Sequence, residues 1–332
     1  MNPIDKKTGL WQRFTSLQEL ASILPVLVLF IIISIVNPHF ISGTNLANMG
    51  KLLSIWGMLA IGECFIMMVG EIDISISAMC CWCGMFFAWL MVNIGLPWYA
   101  ALIFTILMGF ICSMINGLCI VKLKLPAFVV SIGMTYVFKG FAKFITQSMP
   151  INIKLAESGA QFAKFGTARI MGNAGWALPI TIAAFVIAWL ILHKTAYGRK
   201  ITATGDSLIA ARISGVDTDK IKLSVFAISG VLVGIVSALM VGRDTTANPA
   251  SCAGWEMNCI AACAIGGTSM DGGSGSIIGL FFGVVFMAGV LNALNLLSIN
   301  SNYQNIIIGL SIMISVTADI MRRQKKLGTK VR

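Results

Sequence analysis

Apolar and polar positions in this chain fall in long blocks. Ten apolar runs stand out, at 20–36, 51–69, 76–94, 98–121, 126–146, 174–193, 222–241, 257–268, 276–296 and 303–320. A run of about 20 apolar residues in a helix crosses the roughly 30 Å hydrocarbon layer of a bilayer. The expected fold class is therefore an all-α polytopic membrane protein with about ten transmembrane helices. The first run follows a polar, basic start (Met1 to Phe14) and has no small-residue cleavage site behind it, so it reads as an uncleaved span. The run at 257–268 is short and ends in glycines, and a re-entrant segment fits it as well as a full crossing. An even number of spans puts both termini on one side. The plan is a short segment 1–19, one transmembrane unit 20–320, a polar loop 194–221 within it, and a basic tail 321–332.

One connection breaks the rhythm. Most links between helices are a few residues long, yet the polar stretch from Lys194 to Lys222 is far longer. It contains the signals of a short helix. Asp206 or Ser207 can cap the start and Gly215 can close the end. Ile209, Ile213 and Val216 fall at i, i+4 and i+7, one apolar stripe. Such a stripe has to be buried against lipid, against the rest of the chain or against a partner.

Charge orients the pattern. With the N-terminus inside, 17 of the 24 Lys and Arg lie in inner segments and five in outer ones. That asymmetry is a positive-inside signal. It places Lys194–Lys222 and the C-terminal tail in the cytoplasm, and the long connection from Gln147 to Asn173 outside. The net charge of +11 does not point to nucleic acid, because the basic residues sit at the ends of apolar runs and form no single patch. Composition agrees with a membrane protein: 57% of residues are hydrophobic and 11% charged, against roughly 25% charged in a soluble domain.

The chemistry of an enzyme is missing from the sequence. The two histidines, His39 and His193, fall on opposite sides of the membrane in this topology. No H-E-x-x-H occurs, and no G-x-x-x-x-G-K-[ST], so neither a membrane metalloprotease nor a P-loop ATPase is expected. Eight of the nine cysteines lie in apolar runs, where Cys packs as a small hydrophobe. Without His or acidic companions they read as neither a metal nor a redox site.

Polar residues at membrane depth remain as the functional signal, because they are costly in hydrocarbon. The candidates for a translocation path are Glu63, Asp73, Asn116, Lys139, Asn292, Asn295 and Gln304. Such a set suits a neutral, hydroxylated solute, since Asn and Gln both donate and accept. Interhelical bonding explains the asparagines equally, and Lys143 fits snorkelling to the outer surface. Gly266, Gly267, Gly272, Gly273, Gly275 and Gly279 are candidates for close helix packing or hinges, as is the pair Gly230 and Gly234. The segments 70–75 and 266–273 each break an apolar run with glycine and an acid, a weak sign of duplicated halves.

Several motifs, in order, carry a resemblance: G-E-I-D-I-S at 70–75, T-A-Y-G-R at 195–199, A-A-R-I-S-G at 210–215, P-A-S-C-A-G-W-E at 249–256, I-A-A-C-A-I-G-G-T-S at 260–269, G-G-S-G-S-I-I-G at 272–279, and L-N-A-L-N-L-L at 291–297 followed by Tyr303 and Gln304. From about residue 45 to 320 the chain resembles the permease family of bacterial ABC importers for monosaccharides of the ribose, galactose and xylose type. The resemblance implies a transport subunit in the bacterial inner membrane, not an enzyme. It implies pairing with a second permease subunit, docking on a cytoplasmic ABC ATPase that holds ATP and Mg, and delivery by an extracytoplasmic sugar-binding protein. This chain itself is expected to hold no cofactor and no metal. The loop after the sixth span then corresponds to the ATPase-coupling segment, with Gly205, Asp206, Ala210, Ala211, Arg212 and Gly215 as its residues. Related loops carry an acid before the two alanines; here Ile209 stands there. An ion-coupled secondary transporter using Glu63 and Asp73 is the alternative.

Overall fold

The structure is a computed structural model that describes residues 17–168, 170, 175–300, 303–304, 306–310, 313 and 317, and the side chains from residue 22 onward. Helices dominate. In chain order they are α1 (Leu17–Val36), a 3-10 turn (Pro38–Ile41), α2 (Gly43–Met68), α3 (Ile76–Val92), α4 (Trp98–Val121), α5 (Ala127–Phe144), α6 (Glu157–Gly166), α7 (Ala177–Lys194), α8 (Ala196–Asp206), α9 (Leu208–Ile213), α10 (Thr218–Asp244), α11 (Trp255–Ile265) and α12 (Ile277–Leu296). A 3-10 turn (Ile153–Leu155) precedes α6. The all-α expectation needs one small addition: β1 (Ile151–Asn152) pairs antiparallel with β2 (Thr246–Ala247).

Six helices among the described residues are long and apolar enough to cross a membrane: α2, α4, α5, α7, α10 and α12. Ser22–Val36 within α1, together with α3 and α11, forms shorter apolar helices. At 1.5 Å per residue α11 spans only about 16 Å, roughly half the hydrocarbon layer. Half of the predicted run at 303–320 lies outside the described residues, and the segments 1–16 and 318–332 lie wholly outside them.

Burial separates the middle of the bundle from its rim. The most apolar stretch of α2 is 83% buried and that of α10 is 72% buried, whereas those of α5 and α7 are each 28% buried. Outward apolar residues such as Phe128, Val129, Tyr136, Val186 and Ile187 form the surface a bilayer covers. α10 lies against α4, α2 and α3. Glycine lets α4 and α10 approach at the backbone: a Cβ added to Gly234 would come 2.5 Å from Ile106 Cα. The Gly230-x-x-x-Gly234 face therefore works as the sequence spacing predicts.

The long connection after α5 is more structured than a polar linker. α6 buries Phe162 and Ala163, with Phe162 edge-on to Phe87 at 5.0 Å and tilted on Trp98 at 5.7 Å. The segment 194–222 also differs in detail. It forms two helices, not one, with a sharp joint at Ser207. Thr195 caps α8, its Oγ1 accepting from the Gly198 amide at 3.2 Å. Ser207 caps α9, accepting from the Ala210 amide at 3.2 Å. Asp206, the other predicted cap, ends α8 instead.

Candidate functional site

Three chain breaks meet at one end of the bundle. α2 stops at Met68, and the turn Gly70–Ser75 leads into α3. α8 stops at Asp206. The loop after α11 turns through Gly272 and Gly273, both in left-handed backbone (φ of +91° and +77°). The Gly273 amide donates to the Met68 carbonyl at 3.0 Å. A Cβ on Gly205 would run into that carbonyl and the Gly273 amide nitrogen, and one on Gly273 would lie 2.8 Å from Asp206 Cα. Two residue sets that the sequence kept apart, Gly205–Asp206, expected in coupling, and Gly272–Gly273, expected in packing, thus form one node of touching backbones.

Ion pairs fasten this node to α10. Lys222 pairs with Glu71, and both side chains are about 85% buried. Arg212 donates from Nε to Thr218 Oγ1 at 2.8 Å and pairs with Asp219 at 2.9 Å. Lys122, after α4, reaches the other Asp219 oxygen at 3.9 Å. Asp217 caps α10, accepting from the Lys220 amide at 3.1 Å. That amide, with the Lys220 side chain, holds the Asp217 carboxyl below its ordinary value. Tyr197 on α8 bonds Ser224 on α10 at 2.6 Å, and burial pushes its hydroxyl up.

α9 itself turns its apolar side chains outward. Ile209 is 74% exposed and Ile213 is 82% exposed, while Ala211 is buried. Val216, the third residue of the predicted stripe, packs on the core instead. Gly215 closes the helix in left-handed backbone at φ +80°. A six-residue helix with two outward isoleucines on a polar loop is a surface made to be covered.

The candidate path residues divide. Glu63, Asp73 and Asn116 come together, all fully buried. The Asp73 amide donates to Glu63 Oε1 at 3.1 Å. Asp73 Oδ1 accepts from the Ser75 amide at 2.8 Å and hydroxyl at 2.6 Å, and Oδ2 from Asn116 Nδ2 at 3.2 Å. Asn292 lies at the far end of α12, where it and Asn45 exchange amide bonds of 2.8 and 3.0 Å. Asn295 accepts from Gln304 at 2.9 Å, both near that same end. Lys139 is half-buried on α5, one helical turn beyond Thr135, which bonds the Ile74 carbonyl at 3.5 Å. Gly266 packs under Gly279 at the α11–α12 crossing, and Gly275 under Met68. Gly267 turns the chain after α11 at φ +82°. A groove of about 270 Å³ lies between α1, α2, α7 and α12, lined by residues such as Phe30, Met49, Leu53, Ile182 and Phe281. It is apolar and offers a sugar hydroxyl no partner.

Sequence reasoning missed Asn45, Ser75 and the Ser77–Glu256 pair, in which the Ser77 hydroxyl donates to Glu256. Their partners lie 41 to 247 residues away in the chain for Ser75 with Asn116, Ser77 with Glu256 and Asn45 with Asn292, so no local spacing marks them.

The family described as "Branched-chain amino acid transport system / permease component" matches residues 45–316. The ribose import permease RbsC of Haemophilus influenzae is 33% identical over 311 residues, 93% of this chain and 95% of the relative. RbsC of Bacillus subtilis is 34% identical over 303 residues, covering 91% and 93%. The arabinose permease AraH of Escherichia coli is 30% identical over 304 residues, covering 90% and 89%. The chain belongs to the permease family of monosaccharide ABC importers. The permease is thus a multi-pass membrane transport component and not an enzyme. The match takes in all of α2 but its first two residues and runs through α12, so the node at Gly70, Gly205 and Gly273 lies inside the shared region.

Proposed function

We propose that this permease moves a monosaccharide into the bacterial cytoplasm by alternating access, driven by ATP on a separate ABC ATPase. In this reading it has ten spans in the inner membrane with both termini cytoplasmic, pairs with a second permease subunit and receives its sugar from an extracytoplasmic binding protein. The substrate class rests on the relatives named for ribose and arabinose. Coupling rests on α9, whose outward Ile209 and Ile213 sit on a loop joined through Gly205 and Gly273 to the ends of α2 and α11. ATP has to favour one conformation through contacts that differ between states. A push on α9 would travel through Arg212 and Asp219 into α10, and through α8 to the glycine node.

Uptake into liposomes, with the permease alone and with its ATPase and binding protein, tests this. Sugar should accumulate only with the full set and ATP. Accumulation by the permease alone that collapses with a protonophore would instead establish ion coupling.

A further inference from the structure

We propose that Glu256 and Trp255, at the start of α11, form a sugar subsite at mid-membrane depth, with Trp56 packed beside them. The proposal rests on the reading of the chain as a monosaccharide permease and adds a place where the path holds its solute.

Depth comes first. α11 runs parallel to α2, since the Cys259 thiol reaches the Trp56 carbonyl at 3.8 Å and the Cys263 thiol reaches the Ala60 carbonyl at 3.5 Å. Just past the end of α11, Thr268 bonds Cys64 at 3.3 Å, one turn before α2 stops at Met68. The start of α11 lies about 16 Å back from its end, so it falls near the middle of the roughly 30 Å hydrocarbon layer. The chain reaches that depth from β2 without helix. Asn248, Ala250, Ala253 and Gly254 on this stretch are exposed, and Gly254 is in left-handed backbone at φ +80°. Irregular backbone at membrane depth persists only where it is buried in protein or lines water. Its own chain does not bury this stretch, so it faces an aqueous path.

Glu256 gives that surface its chemistry. It is half-buried, and its one hydrogen bond comes from the Ser77 hydroxyl to Oε2. Among the described residues Oε1 accepts nothing, and no Lys or Arg pairs with the carboxylate. The first turn of a helix favours negative charge, which accounts for an acid at this position but not for its open oxygen. A carboxylate turned to lipid at this depth is costly; one turned to a wet path is not. The half-buried Trp255 ring stands next to it. Trp56 is 3% exposed and edge-on to Trp255 at 6.5 Å, and its Nε1 is buried with no hydrogen-bond partner among the described residues. A monosaccharide matches this set. Its C–H face packs on an indole ring, its hydroxyls donate to a carboxylate, and its oxygens accept from an indole N–H. Aromatic walls with a few polar groups are the usual make-up of a small-molecule site, and a neutral sugar brings no charge that would call for an ion pair.

The test uses a permease that accumulates ribose or arabinose with its ATPase and binding protein, so a negative result falls on the site and not on the transport reading. Met257→Cys places a thiol next to Glu256 on a residue that is 42% exposed, against native cysteines that are buried or half-buried. In the solubilised full chain a charged methanethiosulfonate should modify this thiol, and a saturating concentration of the transported sugar should slow the reaction at least threefold relative to betaine at equal osmolality. Adding Glu256→Gln, which still accepts from Ser77, should abolish that protection. No reaction at residue 257 would overturn the proposal, because a sugar subsite has to be wet. A reaction that the sugar does not slow would overturn it as well. Both readings need only Met257→Cys and hold even if the Glu256→Gln variant fails to fold. Protection undiminished by Glu256→Gln would leave Glu256 as a helix-end acid and nothing more.

Discussion

At the scale of single residues, buried polar atoms and close backbones carry the sharpest expectations. Asn45 and Asn292 complete each other. Asn292→Ala strands the buried Asn45 side chain and should cost about 1–3 kcal/mol. The double replacement Asn45→Leu with Asn292→Leu removes both polar side chains, so it should recover part of that loss, the remainder being the bond from Asn45 Nδ2 to the Phe40 carbonyl at 2.8 Å. Chemical unfolding of the two variants checks this; a double variant less stable than the single one would show that the pair does more than satisfy itself. Gly205→Ala faces a different obstacle. Its Cβ meets fixed backbone, the Met68 carbonyl and the Gly273 amide, and overpacking of that kind costs about 1–3 kcal/mol. The node should loosen, seen as faster hydrogen exchange at the Gly273 amide. Asp217 gives a pH expectation. Its carboxyl is held below the ordinary value, near 3.9 in an open chain, so its contribution is complete above the unfolded value and is lost as pH falls through the lower folded value. The Lys220 amide should keep its protection at neutral and mildly acidic pH and lose it only below that window. Asp217→Asn should remove the pH dependence.

At the scale of elements, α9 separates folding from coupling. Ile209 and Ile213 touch little of their own chain, so Ile209→Asp with Ile213→Asp should leave the thermal midpoint of the isolated permease nearly unchanged. Exposed substitutions usually change stability by about 0.5 kcal/mol or less. Copurification with the ATPase, and ATP-driven uptake, should fall at least tenfold. A variant that couples normally would show that α9 does not seat in the ATPase. The helix itself was legible in the sequence, because Ser207, the isoleucines and Gly215 are local signals. Its division from α8 was not: Gly205 and Asp206 look like part of one loop until their backbone is seen against Gly273. The third stripe residue, Val216, packs on the core while the two isoleucines face outward, since periodicity reports a face and not what lies opposite it. Spans were read well wherever apolar runs ended in a turn signal, as at Trp98–Val121. The length of α2 was not, because its first turn, from Gly43 on, is polar. The buried cluster was half legible. Glu63 and Asp73 stood out as acids in apolar sequence, but Ser75 looks like any small residue in a turn, and only its bonds to Asp73 and Asn116 give it meaning.

At the scale of the whole molecule, the charge asymmetry predicts an orientation in the bilayer that can be tested against the fold. The basic residues flank α8 and α9, and the glycine node joins that region to the ends of α2 and α11. α6 and the β1–β2 pair sit at the opposite ends of the spans, since β1 follows α5 and β2 follows α10. One face of the molecule therefore holds Ile209, Ile213 and the node, and the other holds α6 with its polar side. Eight of the nine cysteines are buried and Cys119 is half-buried, which leaves a quiet background for labelling. Gln161→Cys on exposed α6 and Ile213→Cys on α9 place one thiol on each face. With a membrane-impermeant maleimide on intact spheroplasts, Gln161→Cys should react and Ile213→Cys should react only after lysis. The asymmetry of basic residues demands that order, because Lys and Arg near span ends are retained on the cytoplasmic side. The reverse order would invert the topology and put α9 where no cytoplasmic ATPase can reach it. Labelling of both from outside would mean that α7, the membrane-length helix between the two positions, does not carry the chain across the bilayer, and that residues 161 and 213 share one side.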